Sequence, residues 1–243
     1  MSTRGQVRQD AQAGFVLHSY PFRETSLVVE TFTRDHGRIA LVARGARRPR
    51  SSLRGVLLSF QPLLLSWTGR SELRTLTRAE WQGAYTALGG ETLMCGFYLN
   101  ELLLKLLPRD DPHERLYGVY QATLEALAGK MERESILRRF ELQLLRELGY
   151  AVTLNQDAET GEAIVPDQRY VYIVERGPVA AGASDSGKGV ELAGQTLLDM
   201  QSGRFNSAVT QQQSKALMRT LINHYLGKQV LHTRQMLREL QDL

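Results

Sequence analysis

The chain has a single cysteine, Cys95, among 243 residues. One thiol cannot form an internal disulfide or supply a CxxC metal knuckle, so the fold rests on packing, and a reducing cytoplasm suits it. No run reaches the roughly 18 apolar residues that a membrane-spanning helix needs, and the opening segment MSTRGQVRQDAQAG lacks the apolar core of a signal peptide. These absences point to a soluble protein with no membrane partner. No HExxH, no GxGxxG and no Ser/His/Asp set is present, which argues against an enzyme. The first 80 residues contain no lysine.

What they contain instead is arginine. Residues 1–80 hold thirteen arginines against six acidic residues, a net +7, so the remaining 163 residues are net −3 and the overall +4 belongs to one end. Five of the thirteen crowd into ARGARRPRSSLRG, residues 43–55: Arg44, Arg47, Arg48, Arg50 and Arg54. Arginine offers a planar fork of donors that fits phosphate oxygens in pairs and stacks on bases, whereas lysine is a point charge. The matching partner is an anionic polymer.

Hydrophobic residues make up 42% and charged residues 23% of the chain, enough apolar material for a packed core, and the length predicts two domains. Residues 1–12 read as a frayed, disordered tail. From residue 13 to about 82 the pattern is strand-like. GFVLHSY, TSLVVETFT and RIALVARGA are rich in β-branched and aromatic residues, with the DHG turn between the last two; QPLLLSWTG and RSELRTLTRAE follow, and SSLRGVLLSF can hold a short helix. Five strands in so short a span, without room for long crossovers, predict a small barrel of the OB-fold type. Such barrels bind nucleic acid on strands 2 and 3 and the neighbouring loops, and the arginine loop follows directly after strand 3.

From about residue 83 to 243 the period becomes helical, giving an α+β chain with a helical bundle as its second domain. ETLMCGFYLNELLLKLLP places Leu93, Phe97, Leu102 and Leu106 near one face and stops before Pro108. DPHERLYGVYQATLEALAG offers Asp111 as N-cap, Pro112 at N1, Glu114 at N3 and Gly129 as terminator. A third helix runs from about Glu134 to Leu148, and the three should form one bundle. Residues 152–194 read as an irregular insertion with one strand in RYVYIVERG, and helices at about 207–226 and 233–240 return to the bundle.

The candidate contacts to nucleic acid are Arg23, Arg38, Arg44, Arg47, Arg48, Arg50, Arg54 and Arg74, with Tyr20 and Phe22 as stacking platforms. Phe60 and Trp67 have apolar neighbours on both sides and read as barrel core. GASDSGKG, Gly182 to Gly189, comes within one residue of a phosphate-binding G-x4-G-K-[ST] loop but ends in Gly189, which has no hydroxyl for Mg²⁺, and reads as a flexible turn. RDDPHER, Arg109 to Arg115, clusters acids and a histidine, yet helix capping accounts for them better than a metal site. No catalytic residue and no cofactor is expected.

Read as a whole, GFVLHSYPFRETSLVVETFTRDHGRIALVARGARRPRSSLRGVLLSFQPLLLSW resembles the N-terminal domain of the RecO family of bacterial DNA repair proteins, and YLNELLLKLLP and LRRFELQLLRELGY resemble its helical domain. The resemblance implies an OB-fold, binding of single- and double-stranded DNA, and annealing of complementary strands. It also implies partnership with RecR and with the C-terminal tail of single-stranded DNA-binding protein, RecA loading at gaps in the RecF pathway of recombination and repair after DNA damage, and a cytoplasmic, nucleoid-associated location. The family's arginine loop falls on Arg44, Arg47, Arg48 and Arg50, and the helix matching its tail-binding region carries Arg138 and Arg139. Some members carry a four-cysteine zinc site after the LGY motif, whereas residues 151–182 here hold neither cysteine nor histidine, so no structural zinc is expected. An OB-fold RNA-binding protein of translation or RNA processing is the alternative reading.

Overall fold

The computed structural model describes residues 8–83, 88–129, 132–150, 152–182 and 189–241. It divides into two compact units, Met1–Gly129 with Leu231–Leu243, and Lys130–Val230. The barrel boundary expected near residue 82 therefore lies inside the first unit, which also takes in the first two helices of the helical region.

The first unit is built on a closed five-stranded barrel. Its strands are β1 (Arg8–Phe22), β2 (Ser26–Thr33), β3 (Gly37–Ala43), β4 (Leu63–Thr68) and β5 (Leu73–Trp81), with the short helix α1 (Leu53–Val56) between β3 and β4. Closure follows the order β1-β2-β3-β5-β4, with β3 and β5 parallel and the other pairs antiparallel, as in an OB-like barrel. Val16, Val29, Ile39, Leu41, Leu63, Leu65 and Trp67 fill the interior. Trp67 is core, as expected. Residues 8–12, expected in a frayed tail, instead extend β1, and Arg8 pairs with Thr68 of β4. Their polar composition hid this, because a strand held by ladder bonds at a barrel seam needs no apolar alternation.

The long β1 serves two neighbours by bending, with a register break between Val16 and His18. Leu17 stands in that break, and its carbonyl accepts a 2.8 Å bond from Asn100 Nδ2. Asn100 lies in α2 (Gly90–Leu106), and its Oδ1 accepts in turn from Tyr120 of α3 (Glu114–Ala128) at 2.5 Å. Phe15 and Phe32, on the barrel's outer surface, meet Tyr117 and Tyr120 of α3 at centroid distances of 5.2–6.2 Å. The buried side of α2 is Cys95, Tyr98, Leu99, Leu102 and Leu103, while Phe97 is exposed, so the expected face was rotated. Buried polar residues Asn100 and Glu101 account for the shift: hydrogen bonding lets them face inward, where an apolar-periodicity argument excludes them.

The start of α3 also differs. The helix begins at Glu114 with His113 as its N-cap, and Asp111 and Pro112 belong to the preceding turn. The backbone there is claimed by the barrel: Asp110 N–H donates to the Arg38 carbonyl at 3.0 Å, and Arg38 Nε donates to the Leu107 carbonyl at 3.0 Å. The last helix, α7 (His232–Gln241), belongs to this unit and starts on α2. The Glu101 carboxylate accepts from the His232 and Thr233 backbone N–H groups and from Thr233 Oγ1 at 2.6–2.9 Å.

The second unit contains α4 (Arg133–Glu147), β6 (Arg169–Ile173), β7 (Gly177–Ala180), β8 (Val190–Ala193), α5 (Gly194–Gln201) and α6 (Ala208–Leu226). The single bundle expected of the first three long helices is thus divided, with α2 and α3 in one unit and α4 in the other. The insertion is more regular than expected. Strands β7-β6-β8 form an antiparallel sheet, and Tyr170, Tyr172 and Leu192 from it pack with Leu197, Met200, Phe205, Leu217 and Leu221. Asp157 organises the approach to the sheet by accepting from the N–H groups of Glu159, Thr160 and Ala180. The central strand β6 is the one expected in RYVYIVERG, whereas β7 and β8, four residues each and bounded by glycine or proline, carry too little alternation to stand out in sequence.

Candidate nucleic-acid interface

Three neighbouring pieces of the barrel build the site: the β1–β2 turn, the arginine loop after β3, and the start of β5. They enclose an open concavity of about 420 Å³ lined by Phe22, Arg23, Thr25, Ser26, Val42, Arg44, Gly45, Arg48, Leu73 and Thr75. Guanidinium groups and hydroxyls share this surface with apolar walls, an arrangement able to hold a phosphate beside a planar ring.

Backbone geometry fixes the loop. The Arg47 N–H donates to the Thr25 carbonyl at 2.9 Å, and Arg47 Nη1 donates to the Glu24 carbonyl at 3.1 Å and the Arg23 carbonyl at 3.4 Å. Arg47 therefore clips the arginine loop to the β1–β2 turn. Gly45 takes a left-handed φ of +68°, with the Arg48 side chain lying over it. Arg23 also adopts a left-handed conformation, φ 52°, which costs a non-glycine residue about 1–2 kcal/mol. Its guanidinium carbon lies 5.3 Å from the Phe22 ring centroid.

Arg23, Arg44, Arg47, Arg48, Arg50 and Arg54 are all exposed. Among the described residues, no carboxylate comes within ion-pairing distance of any of the six. Six cations with no internal counter-charge leave a positive field over this end of the barrel, strengthened by the low-dielectric wall behind it. Tyr20, 41% exposed, stacks loosely on His18 at 6.2 Å, and Phe22 is half-buried at the concavity.

Arg38 and Arg74 lie elsewhere. Arg38 pairs with the buried Glu30 at 3.3 Å, and Glu30 also pairs with Arg109, while Arg74 meets Asp110 at 2.5 Å. Burial holds the Arg38 guanidinium below its ordinary value against the pull of Glu30, with Arg109 adding to the lowering. These side chains tie the β2–β3 hairpin and β5 to the turn before α3, so much of their hydrogen-bonding capacity is used internally. Phe60 is buried, but against α2, where it stands edge-on to Phe97 at 5.1 Å beside Gly96, and not among the residues that fill the barrel interior, where the sequence placed it.

Thr25, Ser26, Val42, Leu73 and Thr75 complete the concavity but carry no sequence signal of their own; only the parallel pairing of Val42 with Thr75 across the barrel seam brings them together. In the second unit, Arg138 pairs with Glu141 at 2.5 Å, both largely buried, and the exposed Arg139 donates to the Gly203 carbonyl at 2.9 Å. Residues 183–188 of the glycine-rich GASDSGKG stretch lie outside the described residues. Among the described residues, no three His, Cys, Asp or Glu side chains gather where they could hold a metal ion, and no helix is long and apolar enough to cross a membrane.

Two family models match in tandem: Recombination protein O N terminal over residues 8–85 and Recombination protein O C terminal over residues 88–237. Among similar proteins, the DNA repair protein RecO of Nitrosospira multiformis is 57% identical over 236 residues, covering 97% of this chain and 98% of its own. That of Aromatoleum aromaticum is 56% identical over 237 residues with the same coverage. That of Dechloromonas aromatica is 51% identical over 249 residues and all of both chains. Two matched models covering nearly the whole chain, and relatives above half identity along its length, place this protein in the RecO family of DNA repair proteins.

Proposed function

We propose that this protein is a non-enzymatic recombination mediator that binds single- and double-stranded DNA at the arginine-rich end of its barrel and anneals complementary strands. The observation that carries this reading is the set of exposed arginines without carboxylate partners among the described residues, three of which, Arg23, Arg44 and Arg48, line a concavity on an OB-like barrel. Annealing requires two strands held with their phosphates neutralised and their base edges free. Arginine contacts to the backbone meet that requirement, whereas base-edge readout would occupy the pairing atoms. No bond is made or broken, and the protein acts through charge and proximity.

Within the site, Arg44 and Arg48 face the concavity and take phosphate, Arg23 joins them from the turn, and Arg50 and Arg54 extend the cationic track along the loop. Arg47 positions the loop and adds its remaining donors. Phe22 and Tyr20 offer aromatic faces to bases, each worth about 1–3 kcal/mol per stacked base. Arg38 and Arg74 set the field and the shape of the barrel wall. The strain at Arg23 fits a functional position, since turn chemistry alone would favour glycine or asparagine there.

In this reading the protein works in the RecF pathway with RecR and single-stranded DNA-binding protein to promote RecA loading at gaps, in the nucleoid-associated cytoplasm. The acidic, apolar-ended tail of single-stranded DNA-binding protein would dock on the second unit through Arg139, with Arg138 held against Glu141 supporting the same helix.

Titration with single-stranded DNA over a salt series tests the proposal. Five phosphate contacts at the barrel should contribute about −0.7 × 5, or roughly −3.5, to the log–log salt slope. Replacing Arg44, Arg48 and Arg50 with glutamine should reduce that slope by about 2, and reversing Arg47 and Arg48 to glutamate should abolish annealing of strands coated with single-stranded DNA-binding protein. Salt-independent binding, or full annealing by the reversed variant, refutes the site. A matched RNA oligomer that binds more tightly than its DNA counterpart would move the reading to RNA.

A further inference from the structure

Residues 130–230 contain twelve basic and twelve acidic residues, so the second unit has no net charge, yet no aspartate or glutamate occurs between Asp199 and Glu239. Helix α6 occupies the middle of that stretch. Its buried side is Thr210, Ser214, Leu217, Met218, Leu221 and Ile222, and its outer side presents Gln212, Lys215, Ala216, Arg219 and Asn223.

Elsewhere in the unit the basic side chains among the described residues are engaged. Arg138 meets Glu141, Arg169 meets Glu191, Arg176 meets Glu159 and Arg204 meets Asp199, while Arg139 and Arg146 hydrogen-bond to the Gly203 carbonyl and to Gln201. Lys215, Arg219 and Lys228 differ. Among the described residues, no carboxylate reaches them, and all three are on α6 or just after its terminating Gly227. The carboxylates that do meet α6 side chains, Glu132 at Gln211, Asp199 at Thr210 and Glu175 at His224, leave these three cations unmatched.

We infer that the outer side of α6 is a second nucleic-acid backbone contact, separate from the barrel site and built from Lys215 and Arg219, with Lys228 adding a cation just past the helix end. Lys215 and Arg219 stand one turn apart, about 6 Å along the axis, with amide side chains on either side that can hydrogen-bond to phosphate oxygens. Of the residues between them only Ala216 is exposed, and the exposed apolar side chain on this side of α6 is Val209, more than a turn before Lys215 at the helix start, so the cations themselves stand on polar surface without the apolar anchor that a bound acidic peptide requires. A polyanionic backbone needs only spaced cations, and none of the charge here is cancelled from within. The inference rests on the DNA-handling reading above and deepens it: two contact surfaces allow one chain to hold two strands.

The test is salt-dependent binding of single-stranded DNA by the full chain. Changing Lys215→Gln, Arg219→Gln and Lys228→Gln together should reduce the log–log slope by about 2, at roughly 0.7 per lost contact. Each single change should reduce it by about 0.7, which keeps the test open if the triple variant folds poorly. The charge-preserving set Lys215→Arg, Arg219→Lys and Lys228→Arg should keep the wild-type slope, as should neutralising the paired Arg169 and Arg176. A wild-type slope in the triple variant overturns the inference. If the barrel-loop variant in parallel loses its contribution, the barrel reading stands alone, and if neither variant changes the slope, both fail. Binding of oligoglutamate that the triple variant abolishes, with the DNA slope unmoved, would assign the surface to an acidic peptide and overturn it equally.

Discussion

Glu101 holds the start of α7 by charge, and its removal has a calculable effect. The carboxylate is buried on α2, where loss of solvation by itself would raise its pKa. A 2.8 Å ion pair with Lys105, the Thr233 hydroxyl and the backbone N–H groups of Thr233 and His232 outweigh that burial and bring the value from 4.5 down to about 2. A depression of about 2.5 units at ~1.36 kcal/mol per unit is worth roughly 3 kcal/mol to the folded state. Because the folded value is the lower one, the contribution is complete above pH ~4.5 and disappears as pH falls toward 2. In a chain of two compact units a single unfolding transition is not guaranteed, so the suitable assay is amide hydrogen exchange across residues 231–241. Glu101→Gln should lower protection there on the order of a hundredfold at pH 7. The gap between wild type and variant should narrow to roughly tenfold near pH 3, once correction is made for intrinsic exchange. Equal protection at pH 7, or a gap independent of pH, would refute the assignment.

Other perturbations read different parts of the first unit. Arg23→Asn relieves the left-handed strain in the β1–β2 turn and should raise the melting temperature by about 2–4 °C while weakening DNA binding; a variant that is both less stable and fully binding contradicts the idea that strain is held there for function. Gly37→Ala places a Cβ 1.9 Å from the Asp111 carbonyl oxygen at a φ of +65°, and should cost about 3 kcal/mol or more in denaturant unfolding. Asn100→Ala leaves the Leu17 carbonyl buried without its donor and should cost about 2–4 kcal/mol. Adding Tyr120→Phe should then cost less than it does alone, as a double-mutant cycle would show.

The five barrel strands were legible because each carries β-branched or aromatic residues between turn signals, and the arginine loop because its density stands out against any background. What pairs across the barrel was less legible. Arg38 and Arg74 look in sequence like the loop arginines, and only the fold brings Glu30 and Asp110 to them. Arg47 likewise reads as a free cation until its contacts with the β1–β2 turn appear. Carbonyl acceptors carry no residue-type signature, so this role has no trace in the sequence. The extension of β1 through residues 8–12, the rotated face of α2 and the outer strands β7 and β8 of the small sheet left no such mark for a related reason: each depends on hydrogen bonds between polar groups distant in the chain, and apolar periodicity is blind to them.

A loop with five arginines repels itself, and left mobile it would bind a polyanion only by surrendering the entropy of ordering both partners. The barrel removes much of that cost beforehand. By donating to the backbone of the β1–β2 turn, Arg47 holds the loop against a rigid hairpin, so Arg44 and Arg48 already share one concavity with Phe22 and Arg23 before any ligand arrives. In the proposed role, a bound phosphate backbone would offset the like-charge repulsion that remains and so favour the occupied state. Tight packing beneath the loop, from Ala46 and Leu57 into the barrel core, anchors its backbone as well. In the proposed DNA-handling role, affinity for the backbone would come from preorganised charge, leaving the bases free to find their complements.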